Sequence, residues 1–136
     1  MLKLIIGVKG TGKTKALINL VNAASAESKG DVVCIEKGVK LRYDVKSSVR
    51  LINTEEYFVA DTDALYGFIA GISASNHDIT DIFVDSAFKI CNNDAAAFDG
   101  FVELVAKLSE KLGVNVVMTS SIPVEDVPEE LKVYIA

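Results

Sequence analysis

The sequence is poor in the residues on which metal centres and disulfide scaffolds depend. It has no tryptophan, one histidine and two cysteines among 136 residues. Cys34 and Cys91 lie far apart without metal-ligand spacing, so we expect two reduced thiols that are partly or wholly buried. His77 lies in a polar segment, 75–78, and is expected to be a solvated loop residue.

Positive charge is also scarce. Fourteen Lys and Arg residues face nineteen Asp and Glu residues, which gives a formal net charge of −5. The two arginines, Arg42 and Arg50, belong to no dense basic cluster. Nucleic acid is therefore disfavoured as the main partner.

Long apolar runs are missing. The first apolar stretch ends at Gly7, no basic region precedes it, and no small-residue cleavage site follows. The sequence therefore predicts no membrane span, no signal peptide and a cytoplasmic protein. Half of the residues are hydrophobic and 24% are charged, which is ordinary for one globular domain over residues 1–136.

Apolar runs alternate with amphipathic segments along most of the chain. Short runs at 2–6, 31–37, 82–84 and 114–118 predict buried strands. Helical spacing of apolar residues predicts helices over 13–28, from Asp61 or Thr62 to residue 72, and over 98–112, with a last helical turn at 128–131. This alternation predicts an α/β fold with three layers, in which a mainly parallel sheet has helices on both faces.

One segment has a different pattern. Leu41, Tyr43 and Val45 alternate with polar residues, and a second apolar run follows at 49–52, which predicts a half-exposed β-hairpin. Arg42, Tyr43 and Arg50 on this hairpin suit a base-stacking or substrate surface. A solvated hairpin face is the simpler alternative.

The segment after the first strand carries the clearest functional motif. Residues 7–14 read GVKGTGKT and match G-x-x-x-x-G-K-[ST], a phosphate-binding loop between a strand and a helix. Glycines let several backbone N–H groups turn toward one anion, and the following helix adds unpaired N–H donors. The predicted nucleotide-binding residues are Gly7, Val8, Lys9, Gly10, Thr11, Gly12, Lys13 and Thr14, with Lys9 the one that also fits a solvated loop lysine.

Magnesium and catalysis require particular side chains beside this loop. Lys13 is expected to reach the β- and γ-phosphates, and the Thr14 hydroxyl is expected to ligate Mg²⁺. Asp85 ends a buried strand, where a carboxylate can hold the magnesium shell, although a turn or cap aspartate is the alternative. We therefore predict Lys13 and Asp85 as catalytic residues, and Thr14 and Asp85 as metal residues.

Two further groups of polar residues lie at predicted strand ends. Thr119, Ser120 and Ser121 fit a γ-phosphate or water contact as well as ordinary turn hydrogen bonding. Glu36, Asp61 and Asp63 are carboxylates that can serve a nearby reaction or act as caps and surface charges.

With these residues in place, the chain resembles the P-loop NTPases. The loop GVKGTGKT is similar to the GxxGxGKT loops of AAA+ and RecA-like ATPases, and residues 117–123 resemble their sensor strand. The resemblance implies a three-layer P-loop NTPase fold that binds ATP, or another nucleoside triphosphate, with Mg²⁺. It also has departures: Ser86 follows Asp85 where the AAA+ pattern has Glu, and no arginine follows Arg50.

Three functions fit this sequence. The first is magnesium-dependent ATP binding with slow hydrolysis or a nucleotide switch, where a protein partner or a second subunit supplies a catalytic residue. The second is a kinase that transfers the γ-phosphoryl group to a small acceptor. The third is a nonenzymatic adaptor with a structural nucleotide.

Overall fold

The computed structural model describes residues 1–136, in which strands and helices alternate except for two successive strands after the first helix and two successive helices before the last strand. The strands are β1 (Leu2–Gly7), β2 (Asp31–Glu36), β3 (Arg50–Asn53), β4 (Ile79–Val84) and β5 (Asn115–Ser121). The helices are α1 (Lys13–Glu27), α2 (Thr62–Ser75), α3 (Ala87–Ile90) and α4 (Ala95–Leu112), and 3₁₀ turns cover Thr54–Tyr57, Val124–Asp126 and Glu129–Tyr134. None of the helices combines the length and apolar character needed to cross a membrane.

The five strands form one sheet in the order β1-β5-β4-β2-β3, and every pair is parallel. The predicted α/β fold with a parallel sheet is therefore confirmed. Because all strands run the same way, their carboxyl ends meet at one edge of the sheet, which is where open α/β sheets bind ligands.

Each face of the sheet has its own apolar cluster, because side chains of a strand alternate between faces. Leu17 and Val21 of α1 pack on one face against Val117 of β5. Helices α2 and α4 cover the other face, where Leu65 and Val102 join the larger cluster. These clusters make the α1 layer, the sheet and the α2–α4 layer, in agreement with the prediction of helices on both faces.

The predicted hairpin over 41–52 is wrong. Residues 50–53 form β3, which pairs in parallel with β2, whereas the preceding segment folds as turns. Leu41, Val45 and Val49 are buried under the α1 face of the sheet, so the apolar period here is four rather than two. Turns with this spacing bury every fourth residue, and Tyr43 is left 86% exposed.

This turn segment has no strand partner, and other hydrogen bonds satisfy its backbone groups. The amides of Asp44 and Val45 both donate to the carbonyl of Leu41. The Asn22 side chain of α1 donates to the Asp44 carbonyl at 2.9 Å and accepts from the Lys46 amide at 3.0 Å. Local turns and one helix residue thus satisfy groups that a hairpin would have paired.

Smaller differences concern element ends and short elements. The predicted third strand starts at Ile79 rather than residue 82, and α4 starts at Ala95. The predicted turn at 128–131 is part of a longer 3₁₀ segment, Glu129–Tyr134, and Ile135 then lies beside Leu4 of β1. The short helix α3 was not predicted, because four residues are too few to show a period.

Candidate functional site

The loop between β1 and α1 has two glycines in the left-handed region and a third where the Thr11 side chain approaches closely. Gly10 and Gly12 have φ angles of 86° and 83°, in the left-handed region that side chains disfavour. At Gly7 the constraint is space, because a Cβ atom there would lie 2.8 Å from Oγ1 of Thr11. The loop is thus folded tightly on itself at its start and left-handed in its second half.

The first turn of α1 is open to an external anion. Its N-cap residue is Gly12, which has no side chain to accept from the first amides of the helix. By contrast, α2 and α4 are capped by the carboxylates of Asp61 and Asp94. Of the three long helices, α1 alone presents its N-terminal N–H groups and positive dipole end without a side-chain partner.

Lys13 and Thr11 both bond to one carbonyl of the loop. The Lys13 ammonium group donates to the Val8 carbonyl at 2.9 Å, and the Thr11 hydroxyl donates to it at 2.8 Å. The Lys13 side chain therefore lies over the loop rather than extending into solvent. Its positive charge is concentrated where the loop amides and the helix dipole already favour an anion.

Thr14 and Asp85 meet although 71 residues separate them. The Thr14 hydroxyl lies 3.2 Å and 3.3 Å from the two carboxylate oxygens of Asp85. Asp85 is 9% exposed and directly follows β4, as the sequence predicted. A hydroxyl and a carboxylate at this separation are two hard oxygen ligands of the kind that Mg²⁺ prefers.

Thr119 of β5 holds the Asp85 carboxylate in place. Its hydroxyl donates to Oδ1 of Asp85 at 2.8 Å and accepts from the Ser86 amide at 2.7 Å. Both contacts arise because β5 lies between β1 and β4 in the sheet. β5, which includes the residues that resemble a sensor strand, therefore lies between β1 and Asp85 and fixes the position of the Asp85 carboxylate.

Glu36 brings a second carboxylate to this edge of the sheet. It ends β2, the neighbour of β4, and the Asp85 amide donates to the carbonyl of the preceding Ile35 at 2.9 Å. Glu36 is only 3% exposed, and its oxygens accept from the amides of Lys40 at 3.0 Å and Leu41 at 3.3 Å. Burial, together with the negative charge of Asp85, raises the pKa of Glu36 above its usual value, against the opposing effect of the two amides.

The residue after Asp85 departs from helical and strand geometry. Ser86 has φ 58° and ψ 48°, a left-handed conformation that is uncommon for a residue other than glycine. It turns the chain from β4 into the short helix α3. Since Ser86 offers no carboxylate, Glu36 is the acidic side chain that the sheet brings beside Asp85.

The other predicted candidates cap helices, bond within strands or lie at the surface. Asp61 caps α2 through the Ala64 amide, and Asp63 is an exposed residue of its first turn. Ser120 is fully buried and donates to the Thr119 carbonyl, whereas Ser121 is exposed at the end of β5. His77 is exposed in the turn before β4, as expected.

Both cysteines are buried and unpaired with each other, which agrees with the prediction of buried thiols. Burial raises the pKa of Cys34 to about 12, with smaller contributions from the negative charges of Asp85 and Glu36. Burial likewise raises the pKa of Cys91 to about 12. Thiols in this state are poor nucleophiles and poor metal ligands, so neither belongs to the site.

The side chains present fit a magnesium–phosphate complex better than a metal bound by protein alone. No group of three or more His, Cys, Asp or Glu side chains is arranged to hold a metal ion. Thr14 and Asp85 provide two oxygen positions, and Mg²⁺ commonly takes its remaining ligands from phosphate and water.

A scan against protein-family models and a search of curated proteins found no match for this chain.

Proposed function

We propose that the protein binds a nucleoside triphosphate, ATP in the first instance, together with Mg²⁺, in the manner of the P-loop NTPases that its loop resembles. Residues 7–14 hold the phosphates. Thr14 and Asp85 hold the magnesium ion, Asp85 either directly or through water.

The contact between Thr14 and Asp85 carries the proposal. A glycine-rich loop before a helix is in itself a common turn, and an aspartate at a strand end is a common cap. The two become a site because the sheet brings the Thr14 hydroxyl to 3.2 Å from the carboxylate of Asp85. This arrangement supports magnesium binding beside the open N-terminus of α1.

Each residue then has one role in binding. The amides of the loop and of the first turn of α1 donate to phosphate oxygens. Lys13 exchanges its hydrogen bond with the Val8 carbonyl for phosphate oxygens and adds a full positive charge. Thr119 keeps the Asp85 carboxylate oriented toward Thr14, so the metal position is set before the nucleotide arrives.

Calorimetric titration of Mg·ATP and Mg·GTP tests the binding proposal. We expect the wild type to bind and Lys13→Ala to lose at least about tenfold in affinity, which corresponds to roughly 1.4 kcal/mol. Lys15→Ala is the matched control, since it removes an exposed positive charge two residues further along α1. Equal losses in both variants would mean that only general charge attraction is involved.

Slow hydrolysis is proposed with Glu36 as the group that accepts a proton from the attacking water. Glu36 adjoins Asp85 through the pairing of β2 with β4, and burial raises its pKa toward the range suited to a general base. Release of phosphate from ATP is the measurement. We expect Glu36→Gln to lower the release rate at least tenfold while changing ATP affinity by less than about threefold.

The same assay separates the two alternatives. Glu55→Gln is its control, because Glu55 is an exposed carboxylate outside the Asp85 network. Phosphate release that appears only after an acceptor molecule is added would favour a kinase over a hydrolase. Tight retention of nucleotide without any turnover would favour an adaptor and would contradict the role given to Glu36.

A further inference from the structure

The two arginines of the chain line one crevice along β3, the edge strand of the sheet. The crevice has a volume of about 280 Å³ and is bounded by Arg42 from the turn segment and Arg50 from β3. Its walls also include Glu36, Asn53, Glu56 and Tyr57. Arg50 begins β3, whereas Asn53 ends β3 and Glu36 ends β2, so the crevice runs along β3 as far as the carboxyl ends of these two strands.

Neither guanidinium group has an acidic partner. The one ion pair of the protein joins Lys132 to Glu129, in the C-terminal 3₁₀ segment. Arg42 lies over the ring of Tyr43, with its Cζ atom 5.1 Å from the ring centroid, a cation–π contact that orients the side chain and leaves its N–H donors free. Arginine presents these donors in a planar fork that matches carboxylate and phosphate groups.

Asn53 adds a neutral donor to the same crevice. Its side-chain oxygen accepts from the Gly38 amide at 2.8 Å and from the Glu55 amide at 3.0 Å. These two bonds fix which end of the amide is oxygen, and the side-chain NH₂ group has no acceptor in the protein. The crevice therefore contains three side chains with unused donors.

Two carboxylates limit which anions fit. Glu36 is buried and already accepts from two backbone amides, whereas Glu56 is exposed. Their negative charge opposes a polyanion, but their oxygens can accept from a ligand that carries a hydroxyl or amino group. The volume is below the usual range for drug-sized ligands, which indicates a small molecule.

We infer that the Arg42–Arg50 crevice is a second ligand site, which binds a small molecule that carries one phosphate or carboxylate group and a hydroxyl or amino donor. The anionic group contacts the two arginines and the Asn53 amide, and the donor faces the carboxylates. Glu36 lines the crevice and lies beside Asp85 through the pairing of β2 with β4, so this one carboxylate lies between the two proposed sites.

Inorganic phosphate is a suitable probe, because at about pH 6 it carries both negative charge and a P–OH donor. Amide spectra of the ¹⁵N-labelled protein, recorded during a phosphate titration at constant ionic strength, report two regions separately. Amides of residues 38 and 53 report the crevice, and amides of residues 10–14 report the phosphate loop. We expect saturable shifts in the crevice of both the wild type and Lys13→Ala.

Arg42→Gln and Arg50→Gln are expected to weaken the crevice response about tenfold. Lys46→Gln is the matched control, since it removes an exposed charge from the same segment but does not line the crevice. Arg42 is exposed on a turn, so we expect Arg42→Gln to fold. It therefore still tests the site if Arg50→Gln unfolds and loses the dispersed spectrum of a folded protein.

Other outcomes decide between the two sites. Shifts confined to residues 10–14 would exclude the second site while leaving the nucleotide proposal intact. Crevice shifts that persist equally in Arg42→Gln and Lys46→Gln would mean general attraction of anions rather than a site. Shifts of the crevice amides without shifts of residues 10–14 would instead count against phosphate binding by residues 7–14 and support the second site.

Discussion

Glu36 is the residue whose chemistry depends most on its surroundings in the fold. It is a carboxyl group with almost no exposure to solvent, it ends a strand beside Asp85, and two backbone amides hold it. Burial and the neighbouring charge favour the protonated form, whereas the amides favour the ionised form. The net effect is a raised pKa, which makes ionisation of Glu36 costly to the folded state.

This raised pKa predicts how stability depends on pH. An acid whose folded-state pKa exceeds the ordinary 4.5 binds its proton more tightly when folded. Its contribution to the free energy of unfolding therefore falls as pH rises from 4.5 through the raised value. Glu36→Gln lacks this effect, so the variant should gain stability relative to the wild type between about pH 4 and pH 7.

Urea unfolding of both proteins at the two pH values measures this difference. The comparison within each pH removes the contributions of all other titrating groups, which the two proteins share. A stability difference that does not change with pH would mean that the amides of Lys40 and Leu41 cancel the effect of burial, and a change in favour of the wild type would mean that they outweigh it.

At the scale of elements, the turn segment between β2 and β3 depends on α1. Asn22 forms two hydrogen bonds with the backbone of residues 44 and 46, and Val45 between them is buried. This one side chain substitutes for the strand partner that a hairpin would have had. The segment also supplies Arg42 to the crevice, so its position matters for the second ligand site.

Asn22→Ala should therefore destabilise the protein. Two lost hydrogen bonds cost about 1–2 kcal/mol in the free energy of unfolding, less the gain from alanine's higher helix propensity. Asn19→Ala is the matched control, because it makes the same exchange at an exposed position of α1 without these bonds. Equal stability of the two variants in urea unfolding would contradict the role of Asn22.

Local sequence patterns predicted an element well where one apolar run or one apolar helix face determines it. The strand, glycine loop and helix over 2–27 are contiguous, so the motif and its setting were readable together. The turn segment was misinterpreted because Tyr43, which is exposed, happened to fall between two buried residues, Leu41 and Val45. Alternation over five residues cannot distinguish a strand from turns that bury every fourth residue.

At the scale of the whole molecule, the site depends on the order of the strands. The sequence predicted that Thr14 and Asp85 both serve the metal, because each follows a recognisable local signal. It did not predict which of the other strand-end residues contact Asp85. Thr119 does so because β5 lies next to β4, and Glu36 adjoins Asp85 because β2 is the other neighbour of β4.

The proposed function predicts that nucleotide binding depends on magnesium, and this prediction concerns the whole molecule. Thr14 comes from the first helix, Asp85 from the end of β4, and Thr119 from β5, so only the assembled sheet brings the three together. The phosphate loop alone should bind nucleotide in the absence of magnesium, although more weakly. The carboxylate of Asp85 should add affinity only when the metal is present.

Calorimetric titration of ATP into the wild type and Asp85→Asn, each with excess Mg²⁺ and with EDTA, tests the role of Asp85 in magnesium-dependent binding most directly. We predict that magnesium tightens binding to the wild type at least about tenfold and changes binding to Asp85→Asn by less than about twofold. Asp81→Asn, on the same strand away from the loop, should behave as the wild type. No binding of ATP to the wild type with magnesium, or an equal gain from magnesium in wild type and Asp85→Asn, would contradict the account.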